Sequence, residues 1–300
     1  MKIGIVTVTY NSSLVLEDFF SSIEKQDFLD FNLYIIDNNS NDDTLSKIDE
    51  WNFSAKTILK NTNNIGVAAG NNQGIKLAIK DNCDFVMLLN NDTIFEEKLI
   101  SKLIESYQIY GSSIIVPKIN YFYPSNMIWY AGGFFNRKKA FLNFHRGQGE
   151  IDENQYNYDD KIEYAPTCCA LIHNSVFSDI GLMDEKYFVY FDDVDFFFRV
   201  LKNGKHEVRY RHDIHFLHKI GGLNNSPNGD EPFINSNFFI EQNCKNHVYF
   251  LRKQKTLISY LNLIYLWFYL TIRFFISKRF EKKLSVFYLI QSSYFKGFKI

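Results

Sequence analysis

The chain has 300 residues, a formal net charge of −1 and 46% hydrophobic residues, which suits a folded chain of one large domain or two small ones. Disorder, collagen and coiled coil are excluded, because large apolar residues are too many and too irregularly ordered. The charge is split: from Leu251 onward ten Lys or Arg face one acid, Glu281, giving +9, while the first 250 residues carry −10.

An acidic body thus precedes a basic, aromatic tail, and such asymmetry predicts contact with an anionic surface. Cys83, Cys168, Cys169 and Cys244 form no CxxC pair and no zinc spacing. The opening MKIGIVTVTYN predicts a buried strand and no secretion signal. A reducing cytoplasm is the expected location.

In chain order, 3–8 reads as an apolar strand, and 14–23 as a helix with Val15, Phe19, Phe20 and Ile23 at helical spacing. A second strand at 33–36 runs into the polar loop that begins at Asp37. A helix at 44–51 and a strand at 57–59 follow, then a helix at 70–80 and the buried strand Phe85–Leu89. An amphipathic helix is expected over 95–110 and a strand over 114–116. This alternation predicts an α/β fold with a mostly parallel central sheet and helices on both faces. Ligands in such sheets collect beyond the carboxyl ends of the strands, where Thr9-Tyr10-Asn11, the Asp37 loop and Asn90-Asn91-Asp92 fall. Residues 120–165 suggest hairpins and a loop over the site, 164–173 another strand, and 194–202 a helix ended by Gly204.

Three stretches carry chemistry. Asp92 follows an apolar strand with Asn91 beside it, a placement that suits a hard cation such as Mg²⁺ or Mn²⁺. The plainer reading is a cap on the helix expected from residue 95. Asp192, Asp193 and Asp195 lie among seven aromatics in YFVYFDDVDFFFR. Acids so crowded and desolvated have a pKa raised toward neutrality and make a general base, and Arg199 can pair with Asp195 on one helix face. The rivals are an acid-rich helix start and a calcium loop, the latter lacking the EF-hand Gly and terminal Glu. Finally, His212, His215 and His218 precede Gly221-Gly222. No Cys or HExxH pattern supports zinc, and His218 is the better metal or phosphate ligand.

The stretch NTNNIGVAAGNNQG at 61–74 can hold phosphate or ribose through backbone amides. It matches neither GxGxxG nor GxxxxGK[ST], so dinucleotide and P-loop readings are disfavoured.

Taken in order, Val8-Thr9-Tyr10-Asn11, Ile36-Asp37-Asn38-Asn39-Ser40, Asn64-Ile65-Gly66, Gly70-Asn71-Asn72-Gln73-Gly74, Leu89-Asn90-Asn91-Asp92-Thr93, Gly181-Leu182-Met183-Asp184-Glu185, Asp192-Asp193-Val194-Asp195 and His218 form a set. The set resembles family 2 glycosyltransferases of the GT-A fold, especially the bacterial rhamnosyltransferase-like branch, over about residues 1–250. The resemblance implies that Thr9, Asn11, Asp37 and Asn39 contact the nucleotide of a UDP- or dTDP-sugar. It further implies that Gly66, Asn72 and Asn91 line the nucleotide-sugar site, that Asp92 and His218 hold Mg²⁺ or Mn²⁺, and that Asp193, with Asp192 beside it, is the general base. Two departures stand out. Asn90-Asn91-Asp92 carries one carboxylate where the family has a DxD triplet, and Asp192-Asp193 replaces a Glu-Asp pair, which leaves the division of roles open.

The implied reaction is a single displacement with inversion onto a hydroxyl of a glycan or lipid-linked oligosaccharide in cell-surface polysaccharide assembly. Sugar nucleotidyl transfer and an inactive nucleotide-sugar-binding scaffold are the alternatives. The expected domains are 1–250, with a nucleotide-sugar-binding half to about 118 and an acceptor half from about 119, and a helical tail, 251–300. In the tail, 257–272 is uncharged but would span only about 24 Å as a helix, short of a ~30 Å hydrocarbon core. Amphipathic helices lying in an anionic interface, with Trp267 at headgroup depth, are therefore expected in preference to packing on the body or in a homodimer. Nucleic-acid binding is not expected.

Overall fold

In the computed structural model, residues 1–219, 236–276 and 284–300 are described. The first ninety residues alternate β1 (Ile3–Thr9), α1 (Leu16–Glu24), β2 (Phe31–Asp37), α2 (Thr44–Glu50), β3 (Lys56–Lys60), α3 (Val67–Lys80) and β4 (Phe85–Leu89). β1 pairs in parallel with β2 and β4, and β2 with β3. β1, β2 and β4 are apolar almost throughout because helices and loops shield both faces. The register sets Thr9 opposite Asp37.

Next come β5 (Thr93–Phe95), α4 (Leu99–Tyr110) and β6 (Ile114–Pro117). The helix expected from residue 95 therefore starts later, and Asp92 does not cap it: Lys98 holds that position. Thr93, Ile94 and Phe95 extend because they find a distant partner, β14 (Phe216–His218). β7 (Ile119–Tyr121), β8 (Ile128–Tyr130), β9 (Gly133–Asn136), β10 (Leu142–His145) and β11 (Asp160–Ile162) make up the hairpin-rich middle. They are followed by β12 (Cys169–His173), α5 (Asn174–Ile180), α6 (Asp192–Asn203) and β13 (Val208–Arg211). α6 stops at Gly204, whose φ of 71° is left-handed.

The large sheet has the order β11-β13-β6-β12-β4-β1-β2-β3. β12 is antiparallel to both β4 and β6. Its entering end therefore lies where β4 exits, and residues 164–168, expected as strand, instead cross that edge.

The tail forms α7 (Asn237–Gln254), α8 (Leu257–Ile276) and α9 (Leu284–Lys296). α7 is absent from the sequence reading, and residue 250 lies inside it. Val248, Leu251, Leu263, Leu266 and Tyr294 pack together with Ala140 of the body in a second, smaller core. α8 is 20 residues long, about 30 Å, rather than 16. It is the one helix among the described residues that is long and apolar enough to cross a membrane. Trp267 turns inward, its Nε1 donating to Gln291 Oε1 at 2.8 Å, so it is not a headgroup anchor.

Candidate active site

The carboxyl ends of β1 and β2 build a closed hydrogen-bond cluster. Thr9 Oγ1 donates to Asp37 Oδ1 at 2.9 Å, and Ser40 donates to both Asp37 oxygens from Oγ (2.6 Å) and N (3.0 Å). Thr9 and Asp37 are fully buried. Asn11, at φ 51°, donates its N–H to Ser40 Oγ at 2.9 Å and accepts from Asn41 N at 2.8 Å. Asn39 is left-handed (φ 63°) and exposed on the rim. Asp37 thus has its charge organised before any ligand arrives.

Gly66 opens α3 with φ 87°, and a Cβ there would meet the carbonyl oxygen of Phe188 at 2.4 Å. Only glycine permits this approach, which brings the start of α3 against the segment leading into α6. Asn38 Nδ2 braces the same turn through Gly66 O (3.0 Å). Asn72 is committed elsewhere: its amide donates to Met183 O and Glu185 Oε1, both at 2.9 Å, and accepts from Met183 N at 3.0 Å. It anchors the 183–185 segment rather than joining the Asp37 cluster. Asn91 is likewise a strut, donating to Val8 O at 2.7 Å to lock the end of β4 to β1.

Asp92 follows β4, two strands from β2 in the large sheet, and His218 reaches it from β14 of a separate four-stranded sheet, β5-β14-β7-β8. The β5–β14 ladder pairs His218 with Thr93, and Lys219 N donates to Asp92 O at 2.8 Å. His218 Nε2 comes to 3.3 Å from Asp92 Oδ1. Even so, Asp92 Oδ1 and His218 Nδ1 are buried with no hydrogen-bond partner. Native interiors seldom leave such atoms unpaired, and a missing ion is one of the usual reasons. An imidazole and a carboxylate oxygen are acceptable donors for Mn²⁺ or Mg²⁺, so these residues fit a divalent cation. The Trp129 ring packs edge-on against His218 at 4.7 Å. Gly221-Gly222, expected to give close backbone approach, lie outside the described residues.

A second group, Asp159, His212 and Asp213, has its ligand atoms within 4.8 Å of one another. Here Arg211 supplies the positive charge by pairing with Asp213 and with Glu105 (2.8 Å), while His212 Nδ1 is 2.8 Å from Asp159 Oδ1.

The acid cluster opens α6. Asp192 is 4% exposed, and burial together with the Asp193 charge drives its carboxyl well above the ordinary carboxylate range. Asp193 is also raised by burial, opposed by the Tyr164 hydroxyl, which donates to its Oδ2 at 2.6 Å. Asp195 is structural: Arg199 Nε (2.9 Å) and Lys253 Nζ (2.8 Å) pair with it. The Arg199 guanidinium also holds the carbonyls of Ile180 and Leu182.

The turn before α6 is strained, with Tyr190 and Phe191 at φ 64° and 68°, a conformation costing roughly 1–2 kcal/mol per residue. Asn246, on α7 and fully buried, donates to the carbonyl oxygens of Val189 (2.8 Å) and Tyr190 (2.9 Å) and so holds the turn. Tyr164, Trp129 and Asn246 were all missed from sequence. Tyr164 and Asn246 lie 29 and 56 positions from the residues they hold, and no local spacing announces contacts so distant.

A family model described as Glycosyl transferase family 2 matches residues 4–181. The low-salt glycan biosynthesis hexosyltransferase Agl10 of Haloferax volcanii is 25% identical over 202 residues, 66% of this chain and 61% of Agl10. The chain thus spans about three fifths of that relative. S. aureus TarS 1-349, solved with UDP-GlcNAc, shares 16% identity over 98% of this chain and 79% of its own, with a TM-score of 0.57. The mannosyltransferase PcManGT from Pyrobaculum calidifontis, solved with GDP-Man and Mn²⁺, shares 14% over 97% and 72%, with a TM-score of 0.55. These likenesses establish the mixed α/β, GT-A-type fold.

Proposed function

The chain belongs to glycosyl transferase family 2, and on that premise we propose that it is an inverting, metal-dependent glycosyltransferase. It would move a hexosyl or deoxyhexosyl group from a UDP- or dTDP-sugar to a hydroxyl of a glycan or lipid-linked glycan. The observation that carries the reading is Asp92, just past the carboxyl end of β4, facing His218 Nε2 at 3.3 Å, with Asp92 Oδ1 and His218 Nδ1 both buried without a hydrogen bond. Agl10, TarS and PcManGT support it as relatives or fold neighbours acting on or solved with such sugars.

Asp37 is already ordered by Thr9 and Ser40, and its remaining lone pairs would accept from the N–H groups of a nucleobase. Asp92 and His218 would hold the cation, which when bound neutralises charge on the leaving diphosphate. Asp193 takes the proton of the acceptor hydroxyl as that oxygen attacks the anomeric carbon from the face opposite the diphosphate. Inversion follows from one displacement, and no enzyme nucleophile is required.

The tail supports a peripheral seat on the cytoplasmic face of a membrane, consistent with a role in cell-surface polysaccharide assembly. One stripe of α8, Ser259, Leu263, Leu266 and Phe274, is buried. That stripe runs along the helix and keeps it on the protein. Leu261, Ile264, Phe268, Ile272 and Phe275 are exposed, as are Leu284, Tyr288 and Phe295 on α9. With Arg252, Lys255 and Arg273 nearby, this face suits the interface of an anionic leaflet. Sedimentation with phosphatidylglycerol vesicles, lost in Ile264→Ser/Phe268→Ser and absent with phosphatidylcholine, is expected. A dimer by ultracentrifugation with no vesicle binding would reassign the face to a second copy.

The deciding experiment is a screen of sugar nucleotides for Mn²⁺-dependent hydrolysis and transfer. Pyrophosphate release would favour nucleotidyl transfer instead, and silence with every donor would favour a binding scaffold.

A further inference from the structure

Asp192 and Asp193 are neighbours that begin one helix, yet their surroundings differ. Asp193 Oδ2 accepts from the Tyr164 hydroxyl at 2.6 Å and Oδ1 from Val194 N at 2.7 Å. The Asp192 carboxyl, the more deeply buried, is met by the backbone N–H groups of Asp192 and Asp193 but by no side-chain donor among the described residues. Among the described residues no cation offsets this imbalance, because Arg199 and Lys253 pair with Asp195. The other titratable groups around the pair are Tyr190 and Asp195 near Asp192, Cys168 beside Tyr164, His145 behind it, and His247 against Phe191. Burial keeps both imidazoles neutral, pushing them down to about 4, and lifts the thiol.

Tyr164 cannot turn away from Asp193. It is 3% exposed, its carbonyl accepts from Tyr130 Oη at 2.7 Å and its N–H donates to Gly133 O at 3.1 Å. Its ring is held by His145 (5.6 Å), Phe135 (5.8 Å) and Phe197 (5.9 Å). The phenol is pushed far up by burial and the Asp193 charge, so it stays a donor.

We propose that Tyr164 is the positioning residue that breaks the symmetry of the Asp192–Asp193 pair, holding Asp193 as the ionised acceptor and leaving the shared proton on Asp192. Hydrogen bonding to the charged form of one member separates two coupled titrations. This division of labour rests on the proposed glycosyltransferase reading only where it bears on catalysis. The pairing itself does not depend on that reading.

The test is a carboxyl-¹³C NMR titration of aspartate-labelled protein, assigned with Asp192→Asn and Asp193→Asn. Two separated steps are expected, the lower one on Asp193. Tyr164→Phe keeps the ring and removes the donor, and should raise the lower step by about one pH unit. Tyr164→3,5-difluorotyrosine, a stronger donor, should lower it, and serves if the Phe variant does not fold. A lower step unmoved by both changes, or lying on Asp192, overturns the proposal. The acid limb of kcat/KM is followed in parallel. If the NMR step moves and the limb does not, Tyr164 keeps its role while Asp193 is no longer the base.

Discussion

The two ends of the proposed site are built on opposite plans. Around Asp37, both carboxylate oxygens are met by Thr9 and Ser40. Around Asp92, His218 and Asp192, buried polar atoms lack partners or a carboxyl is pushed upward by burial. The first region is closed by its own hydrogen bonds, whereas the second keeps unpartnered atoms that the proposed cation would take up. Binding and chemistry should therefore respond to substitution in different currencies: stability at one end and turnover at the other.

The largest effect should come from Asp193→Asn, which removes the base while leaving the Asp37 cluster intact. Transfer should fall about 10³-fold with donor affinity unchanged by calorimetry, and near-normal transfer would sink the assignment. Asp92→Ala should cut Mn²⁺-dependent nucleotide binding by about a hundredfold or more, since even outer-shell partners cost up to that much. Its melting temperature should change little, because Asp92 Oδ1 has no hydrogen bond and only the 3.3 Å contact with His218 Nε2 is lost.

The reverse is expected of Asp37→Ala, which strands the Thr9 and Ser40 hydroxyls and should cost about 2 kcal/mol in denaturant unfolding. Equal stability losses for Asp92→Ala and Asp37→Ala would erase the contrast.

The smallest effect concerns pH. Asp192 is raised above its ordinary 3.8, so the folded state binds more protons than the unfolded one. Its contribution to stability is complete below about 4 and is lost as pH rises through the folded value. Asp192→Asn should therefore gain stability over the parent at pH 8 relative to pH 4, a difference of about 3 °C in Tm. If Asp193 is the proposed base, its upward shift by burial should move the acid limb of kcat/KM above that of an ordinary aspartate.

What was legible in the sequence followed from short-range periodicity. β4 was read residue for residue, the Asp195–Arg199 pair came from helical spacing, and polar loops marked the strand ends. What was illegible depended on distant partners. Thr93–Phe95 looked like the start of a helix until β14 paired with it, and that same ladder brings His218 to Asp92. Residues 164–168 looked like strand because no local signal says that β12 runs backwards between β4 and β6. Trp267 looked like an interfacial anchor because its partner Gln291 lies 24 residues on.

The amide of Asn246 reaches from the tail to the two carbonyls just ahead of α6. The wall of the proposed site is therefore not encoded by the sheet-bearing body alone. Exchanging tails between relatives would exchange part of that wall with them, and a chimera with an intact sheet could inherit a foreign setting for its own base. The segment that looks from composition like an address label also holds, through one residue, the turn that leads into the proposed site.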